Sequence, residues 1–178
     1  MDLIYQERGH RLTCFEQPLL SPANLSSYGE VIHQAGAPLV NCWGFVDGTV
    51  RPICRPGQHQ RILYNGHKRV HSIKFQSVVT PNGLIANLSG PCEGKKHDSG
   101  MLRESGLLTS LEEHSFSSTG DILCIYGDPA YPLRPHLQAP FKAAVRLTEE
   151  QLAFNRAMST ARVNVEWVFG GIVNFFKF

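Results

Sequence analysis

The chain has 178 residues, of which 42% are hydrophobic and 18% charged, a composition that excludes a disordered chain and fits one globular domain. Its apolar runs fall well short of the roughly 20 residues of a membrane-spanning helix, and its N-terminus lacks the hydrophobic stretch of a signal peptide. Five cysteines without paired spacing predict free thiols in a reducing compartment.

The formal net charge is only +2, but the positive charge is concentrated in one interval. Between Asp47 and Glu93 the sequence has no acidic residue, whereas it has six cations: Arg51, Arg55, Arg61, Lys68, Arg69 and Lys74. A local basic face suits phosphate groups, although a solvated loop without a partner explains the same charges equally well.

In chain order, the first pattern predicts a helix over residues 26–35. Residues 42–46 are apolar and predict a strand that ends on Asp47, and prolines and glycines make residues 50–66 mostly loop. A β-hairpin follows, with arms over residues 71–79 and 84–89 joined by the turn Thr80-Pro81-Asn82-Gly83; Ile73, Phe75 and Val79 alternate with polar positions in its first arm.

The second half predicts a helix over residues 97–113, capped by Asp98 or Ser99, and then an unbroken apolar strand over residues 122–126. A short strand over residues 141–145 is possible on the same grounds. Thr148 and Gln151 fit a capping box that begins a long helix, whose stripe of Phe154, Met158, Ala161, Val165, Val168 and Ile172 marks its buried face. The order of elements predicts a mixed α/β layer in which an antiparallel meander joins parallel strands.

Three acidic residues could carry chemistry. Asp47 in FVDGT and Asp128 in YGDPAY each follow a predicted central strand, and Glu166 lies at the border of the long helix's buried stripe. Each has an ordinary explanation, because Asp-Gly and Asp-Pro are common turn pairs and Glu166 can pair with Arg162. If the three converge, their mutual repulsion is relieved by divalent cations, and carboxylates suit Mg²⁺ or Mn²⁺. Two such ions can drive phosphodiester cleavage.

The blocks around these acids carry a resemblance. GFVDGTVRPICRP, YNGHKRVHSIKFQSVVTPNGLI, GPCEGKKHDSGMLRESGLL, GDPAYPLRPHLQAPFK and FNRAMSTARVNVEWVFGGI resemble, in this order, the catalytic domain of PIF/Harbinger-type DDE transposases, over about residues 30–178. The resemblance implies an α/β, RNase H-like fold with a mixed sheet of about five strands flanked by helices. It also implies an Asp-Asp-Glu triad of Asp47, Asp128 and Glu166 that binds two divalent ions, Mg²⁺ or Mn²⁺.

The function implied by the resemblance is metal-dependent cleavage of DNA, with strand transfer by the freed 3′ hydroxyl as a second step. A domesticated DNA- or protein-binding module that no longer cuts is the alternative, and a small-molecule phosphohydrolase is a third class. Relatives are thought to work with a Myb-like partner protein that supplies DNA recognition and nuclear import, which predicts a nuclear location. Candidate DNA contacts are Arg51, Arg55, Lys68, Arg69, Arg134 and Arg162, with Tyr131 as a further one.

The expected organisation is a lead-in segment over residues 1–40 and a catalytic domain over residues 41–178, shortened at its C-terminal end relative to the family. Two residues keep two explanations each. Asp98 matches a family block and could be an auxiliary acid, but helix N-capping is the favoured explanation. Arg162 could contact phosphate or neutralise Glu166.

Overall fold

The structure is a computed structural model that describes the backbone of residues 6–7, 9–142 and 146–175, and the side chains of these residues as far as position 163. Two 3-10 helices, Gly9–Leu12 and Pro18–Leu20, precede the main elements. The helices are α1 (Pro22–Gln34), α2 (Gln60–Leu63), α3 (Asp98–Glu104), α4 (Leu107–His114) and α5 (Glu149–Phe175). The strands are β1 (Cys42–Pro52), β2 (Tyr64–Asn65), β3 (Val70–Val79), β4 (Ile85–Glu93), β5 (Cys124–Tyr126) and β6 (Leu137–Gln138).

The six strands form one mixed sheet. Strand β3 pairs antiparallel with β1, β2 and β4, and β1 pairs parallel with β5, which pairs parallel with β6. The antiparallel meander joined to parallel strands confirms the predicted α/β, RNase H-like class, with one strand more than expected. No helix in the described residues is long and apolar enough to cross a membrane.

Strand β1 is longer than the sequence predicted. Instead of ending at Asp47 it continues to Pro52, because β3 pairs with it from Phe45 opposite Val79 to Pro52 opposite Ser72. The predictions of a strand tip and of a loop from residue 50 are therefore wrong. The parallel pairing of β1 with β5 stops at Phe45, so Asp47 lies just past the point where β1 and β5 separate.

The hairpin of β3 and β4 is confirmed, and Gly83 supplies the positive φ of 80° that its turn requires. The single helix predicted over residues 97–113 is wrong, since Gly106, with a φ of 69°, separates α3 from α4. Helix α1 begins at Pro22 rather than at residue 26, because the Ser21 hydroxyl accepts a bond from the Asn24 N–H.

The capping box at the start of α5 is confirmed. The Thr148 N–H donates to Gln151 Oε1 at 3.1 Å, and the Gln151 N–H donates to Thr148 Oγ1 at 3.2 Å. Phe141 and Lys142 are not in a strand, and the remainder of that predicted strand lies outside the described residues.

The core lies on both faces of the sheet. On one face α1, α3 and α4 bury Leu25, Leu102 and Leu111 against Trp43, whose Nε1 donates to Ser115 Oγ at 2.7 Å. On the other face α5 buries Met158 and Ala161 against Phe45, Cys42 and Cys124. Val165, Val168 and Ile172 of the predicted stripe lie where side chains are not described. The burial of Met158 and Ala161 shows that α5 packs across this second face of the sheet. Strand β1 continues beyond its pairing with β5 and carries Asp47 in that continuation.

Candidate active site

Asp47 is joined to the last helix by an ion pair. Its Oδ1 accepts a hydrogen bond from Arg162 Nη2 at 2.8 Å, and the two side chains are 23% and 18% exposed. Because Arg162 is on α5 and Asp47 is on β1, this bond ties residues 115 positions apart in the sequence. Arg162 therefore meets the first of the three predicted acids.

Burial raises the pKa of the Asp47 carboxyl above its ordinary value. Arg162 and the Gly48 N–H oppose this rise, whereas the charges of Asp128 and Asp98 add to it. The net rise means that a single arginine does not fully compensate the cost of an ionised Asp47 in this environment. A further cation at this position would lower that cost.

Asp128 is held in a tight turn after β5. Its Oδ1 accepts the Ala130 N–H at 2.9 Å, and its backbone oxygen accepts the Tyr131 N–H at 3.1 Å. The turn passes close to β1, because a Cβ on Gly127 would lie 2.9 Å from a methyl carbon of Val46. Asp128 therefore lies beside the segment of β1 that carries Asp47, which agrees with the effect of its charge on the Asp47 pKa.

Asp98 is a third acid in the same region, and its predicted role as a helix cap is wrong. His97 occupies the N-cap position of α3 and makes no side-chain cap bond, while Asp98 is the first residue of the helix. Its Oδ1 accepts a bond from Lys74 Nζ at 2.6 Å. A Cβ on Gly48 would lie 2.5 Å from that same oxygen, so the carboxylate packs directly against β1 next to Asp47.

Behind these acids is a buried polar chain. Ser105 Oγ donates to Gln76 Oε1 at 3.1 Å, and Gln76 Nε2 donates to the Tyr131 hydroxyl at 3.1 Å. Burial raises the pKa of Tyr131, although the bond from Gln76 opposes the rise. The prediction of Tyr131 as a DNA contact is wrong, because the residue is 0% exposed and forms part of the core.

Burial in β3 follows the apolar positions of the alternation only at Val79. Ile73 and Phe75 are only half-buried, whereas Ser72, Lys74 and Gln76 are buried. Alternation alone favoured the apolar positions, and it missed Lys74 and Gln76 as members of the site. One feature of the sequence could have indicated that these two polar residues are buried. They are two positions apart in a strand whose last residues, Val78 and Val79, are fully buried.

A groove of about 740 Å³ begins beside the acids. Its lining comprises Gly48, Val50, Asn65, Gly66, His67, Lys68, Lys74, Gly94, Lys95, Lys96, His97, Asp98, Ser99 and Ala130. Of the cations predicted to contact DNA, Lys68 lines this groove and Arg162 binds Asp47. The others do not line it: Arg51 is half-buried on β1, Arg55 donates to Gln60 Oε1, and Arg69 and Arg134 are exposed.

Glu166 belongs to α5, but its side chain lies outside the described residues. Among the side chains that are described, no three of the types His, Cys, Asp or Glu are close enough together to hold one metal ion. The residues that the structure brings together are thus Asp47, Asp128, Asp98, Lys74 and Arg162.

Comparison with known families decides the class of protein. The sequence pattern of the DDE superfamily endonuclease family matches residues 46–178, which is most of the chain and includes every residue of this site. The chain belongs to the DDE superfamily of endonucleases. No curated protein and no solved structure matches it significantly.

Membership of the DDE endonuclease superfamily gives the site its chemical context. These enzymes usually use divalent metal ions, and a DNA-cleaving nuclease domain implies DNA as substrate. The donor set fits such ions, because Asp47 and Asp128 offer hard carboxylate oxygens, and one of these oxygens already binds a cation, the Arg162 guanidinium.

Proposed function

We propose that this chain is a metal-dependent DNA endonuclease of the PIF/Harbinger type, with Asp47, Asp128 and Glu166 as its acidic triad. The observation that carries the proposal is the Asp47–Arg162 bond, because it brings α5 to the carboxylate of β1. Glu166 follows Arg162 by four positions in the same helix, the spacing at which two residues share one face. Asp128, from the turn after β5, completes the set.

In this proposal Asp47, Asp128 and Glu166 would hold two divalent ions, Mg²⁺ or Mn²⁺, with Asp47 shared between the ions and Asp128 and Glu166 each serving one. The ions would supply positive charge that activates the attacking oxygen and stabilises the leaving oxygen. The raised pKa of Asp47 supports this assignment, since a buried carboxylate with two acidic neighbours is ionised more easily once cations are bound.

Arg162 has a definite role in the same proposal. It supplies positive charge that pairs with Asp47, and its Nη2 donates to one of the carboxylate oxygens. A guanidinium held beside the proposed metal ligands is suited to bind a phosphate oxygen of the substrate. Of the two explanations kept for Arg162 from the sequence, this proposal uses contact with phosphate; neutralisation of Glu166 stays a prediction, because the Glu166 side chain lies outside the described residues.

The reaction is the attack of a water oxygen on phosphorus, which breaks one P–O bond of the backbone and releases a 3′ hydroxyl. Strand transfer by that hydroxyl, a Myb-like partner that supplies DNA recognition, and a nuclear location all belong to the proposal through the PIF/Harbinger resemblance. A binding module that keeps the fold without cutting is the competing outcome of the experiment below.

Nicking of a supercoiled plasmid in Mg²⁺ tests the proposal. Asp47→Ala and Glu166→Gln should each lower the nicking rate by about 100-fold or more, because each removes a ligand from the charge-stabilising site. Asp121→Asn is the matched control, since Asp121 is an exposed acid that bonds only to nearby Ser117 and Thr119. Equal nicking by the wild-type chain and Asp47→Ala would rule out the proposed endonuclease activity.

A further inference from the structure

The groove beside Asp47 and Asp128 has a chemistry of its own. Four lysines line it against one carboxylate, that of Asp98, and two histidines, His67 and His97, are also part of the lining. Its lining includes Gly48, which directly follows Asp47 in β1, and Ala130, which lies two positions after Asp128 in the turn after β5. A polyanion lying in this groove would therefore reach the proposed cleavage centre.

Two of the four lysines are available to a ligand. Lys74 is bound to Asp98 and to the Lys96 backbone oxygen, and Lys96 is paired with Glu104. Lys68 is exposed and enters no ion pair among the described residues. Lys95 and Glu93 are 3.8 Å apart and about half exposed, a surface pair that competes weakly with phosphate.

The two walls of the groove are fixed to each other before any ligand arrives. Asn65 Nδ2 donates to the Gly94 backbone oxygen at 2.9 Å, and Asn65 Oδ1 accepts the Lys68 N–H at 2.9 Å. Gly94 is tightly enclosed, since a Cβ there would lie 2.4 Å from the backbone oxygens of Leu63 and Ser72. The lysines at 68 and 95 are thus carried on preorganised loops, which lowers the cost of binding.

Because these contacts occupy the side chain of Asn65, this residue is not available to recognise DNA bases. Direct readout in DNA relies on Arg, Asn or Gln placed in pairs against base edges. Among the described residues, the lining of the groove has no Arg or Gln, and both polar atoms of its Asn65 are used by the protein. The same part of the lining has no Phe, Tyr or Trp on which unpaired bases could stack.

We propose that this groove is a sequence-independent track for the phosphate backbone of the substrate strand, contacted by Lys68 and Lys95. The inference rests on the proposed function for its substrate class, and it assigns to this face positioning of the strand without recognition of its sequence. Sequence preference, where it exists, then comes from another surface or another protein.

The test is binding of the full chain to labelled duplex DNA by fluorescence anisotropy in EDTA, where no cleavage occurs. Lys68→Glu/Lys95→Glu is compared with Arg11→Glu/Arg156→Glu, which changes the same charge at two exposed arginines outside the groove. Two duplexes of unrelated sequence and equal length are used, from 50 to 200 mM salt.

Three results are expected. The wild-type chain binds both duplexes with equal affinity, and the groove variant weakens both equally. The slope of log affinity against log salt becomes about 2 units shallower in the groove variant, since each phosphate contact contributes about 0.9. The Arg11/Arg156 variant keeps the wild-type slope within the error of the measurement.

Equal loss in the two charge variants, or a groove variant that weakens only one duplex, would overturn the proposal, as would absence of wild-type binding. Plasmid nicking in Mg²⁺ separates this outcome from that of the proposed function. If the chain binds DNA as expected but does not nick the plasmid, the proposed nuclease function is rejected and the proposed phosphate track is retained. If the chain nicks the plasmid and the groove variant binds DNA like wild type, the track is rejected and the nuclease function is retained.

Discussion

Gly48 is the residue at which the strand carrying Asp47 meets the helix carrying Asp98. The absence of a side chain at this position lets the Asp98 carboxylate lie against the β1 backbone while it binds the buried Lys74. The glycine after Asp47 is therefore explained by close packing within a strand, and a turn does not account for it.

Gly48→Ala should destabilise the fold by about 1–3 kcal/mol, because the new Cβ displaces a carboxylate that neutralises a buried lysine. Urea unfolding measures the change. Gly57→Ala is the control, since nothing lies within 4 Å of a Cβ at that position. An unchanged midpoint for Gly48→Ala would show that Asp98 moves aside freely, which contradicts the close packing described here.

The pKa of Asp47 gives a pH dependence with a definite sign. The folded state holds the Asp47 proton more tightly than the unfolded state, because burial raises the pKa in the fold. Its contribution to stability is therefore full below the unfolded pKa and is lost as the pH rises through the folded pKa.

Without metal, the unfolding free energy of wild type minus that of Asp47→Asn should fall as the pH rises above the unfolded pKa of an aspartate, about 4, and should level off above the folded pKa. Urea titrations of both proteins across this range provide the measurement. A difference that rises with pH would mean that Arg162 outweighs burial and that the pKa is lowered.

At the level of single residues, the sequence predicted that Asp47 and Asp128 lie close together, but it did not predict which side chains surround them. Asp47 and Asp128 follow buried apolar runs, and that pattern is local. The environment of Asp98 depends on Lys74, which reaches it from β3, 24 positions away in the sequence. Helix-capping propensities depend on residues close in sequence and do not include a partner so far along the chain. The prediction that Asp98 caps its helix is therefore wrong.

Among the elements, α5 has the best-defined beginning. The reciprocal bonds of Thr148 and Gln151 satisfy two N–H groups that would otherwise have no partner in the helix. Both residues lie within one turn, so the sequence alone predicted this cap. Helix α5 carries Arg162 to Asp47, and its first turn thus supports the site from a distance.

Thr148→Ala should cost about 1 kcal/mol of stability, the usual value of an N-cap. Thr160→Ala is the matched control in the same helix, since Thr160 is exposed and its hydroxyl bonds only to the Arg156 backbone oxygen. This control should be neutral or slightly stabilising because alanine favours helix. Thermal unfolding of the two variants compares them, and equal losses would count against the cap.

Strand β1 shows why an element's length escaped the sequence. Gly48 and Pro52 favour a turn and a loop locally, whereas eight register pairs with β3 extend the strand through both positions. Pro52 is tolerated because it is the last residue of the strand. The break between α3 and α4 was the reverse case, since Gly106 gave a local stop signal that the helical periodicity concealed.

On the scale of the whole molecule, the described segment from Phe15 to Ala37 packs into the same core as the sheet. Phe15 is 5% exposed and lies edge-on to Trp43 with ring centroids 6.5 Å apart, and it stacks on His114 at 6.2 Å. The division into a lead-in segment over residues 1–40 and a catalytic domain over residues 41–178 stays a prediction. In the fold, the Phe15 side chain contributes to the core beneath β1.

Phe15→Ala should therefore destabilise the protein by about 3–5 kcal/mol, the cost of removing a buried aromatic ring. Val40→Ala, at a position 68% exposed, should change stability by less than about 0.5 kcal/mol. Denaturation followed by Trp fluorescence and by circular dichroism measures both. A loss seen by only one probe would mean that the early segment unfolds separately.

The bond between Asp47 and Arg162 has a kinetic consequence. It closes a loop of 115 residues, whereas the hairpin of β3 and β4 closes a turn of a few residues. Long closures come late in folding, because their entropic cost precedes their reward. We therefore expect a refolding chain to form the hairpin of β3 and β4 before the Asp47–Arg162 pair, so that the proposed site is completed after most of the secondary structure.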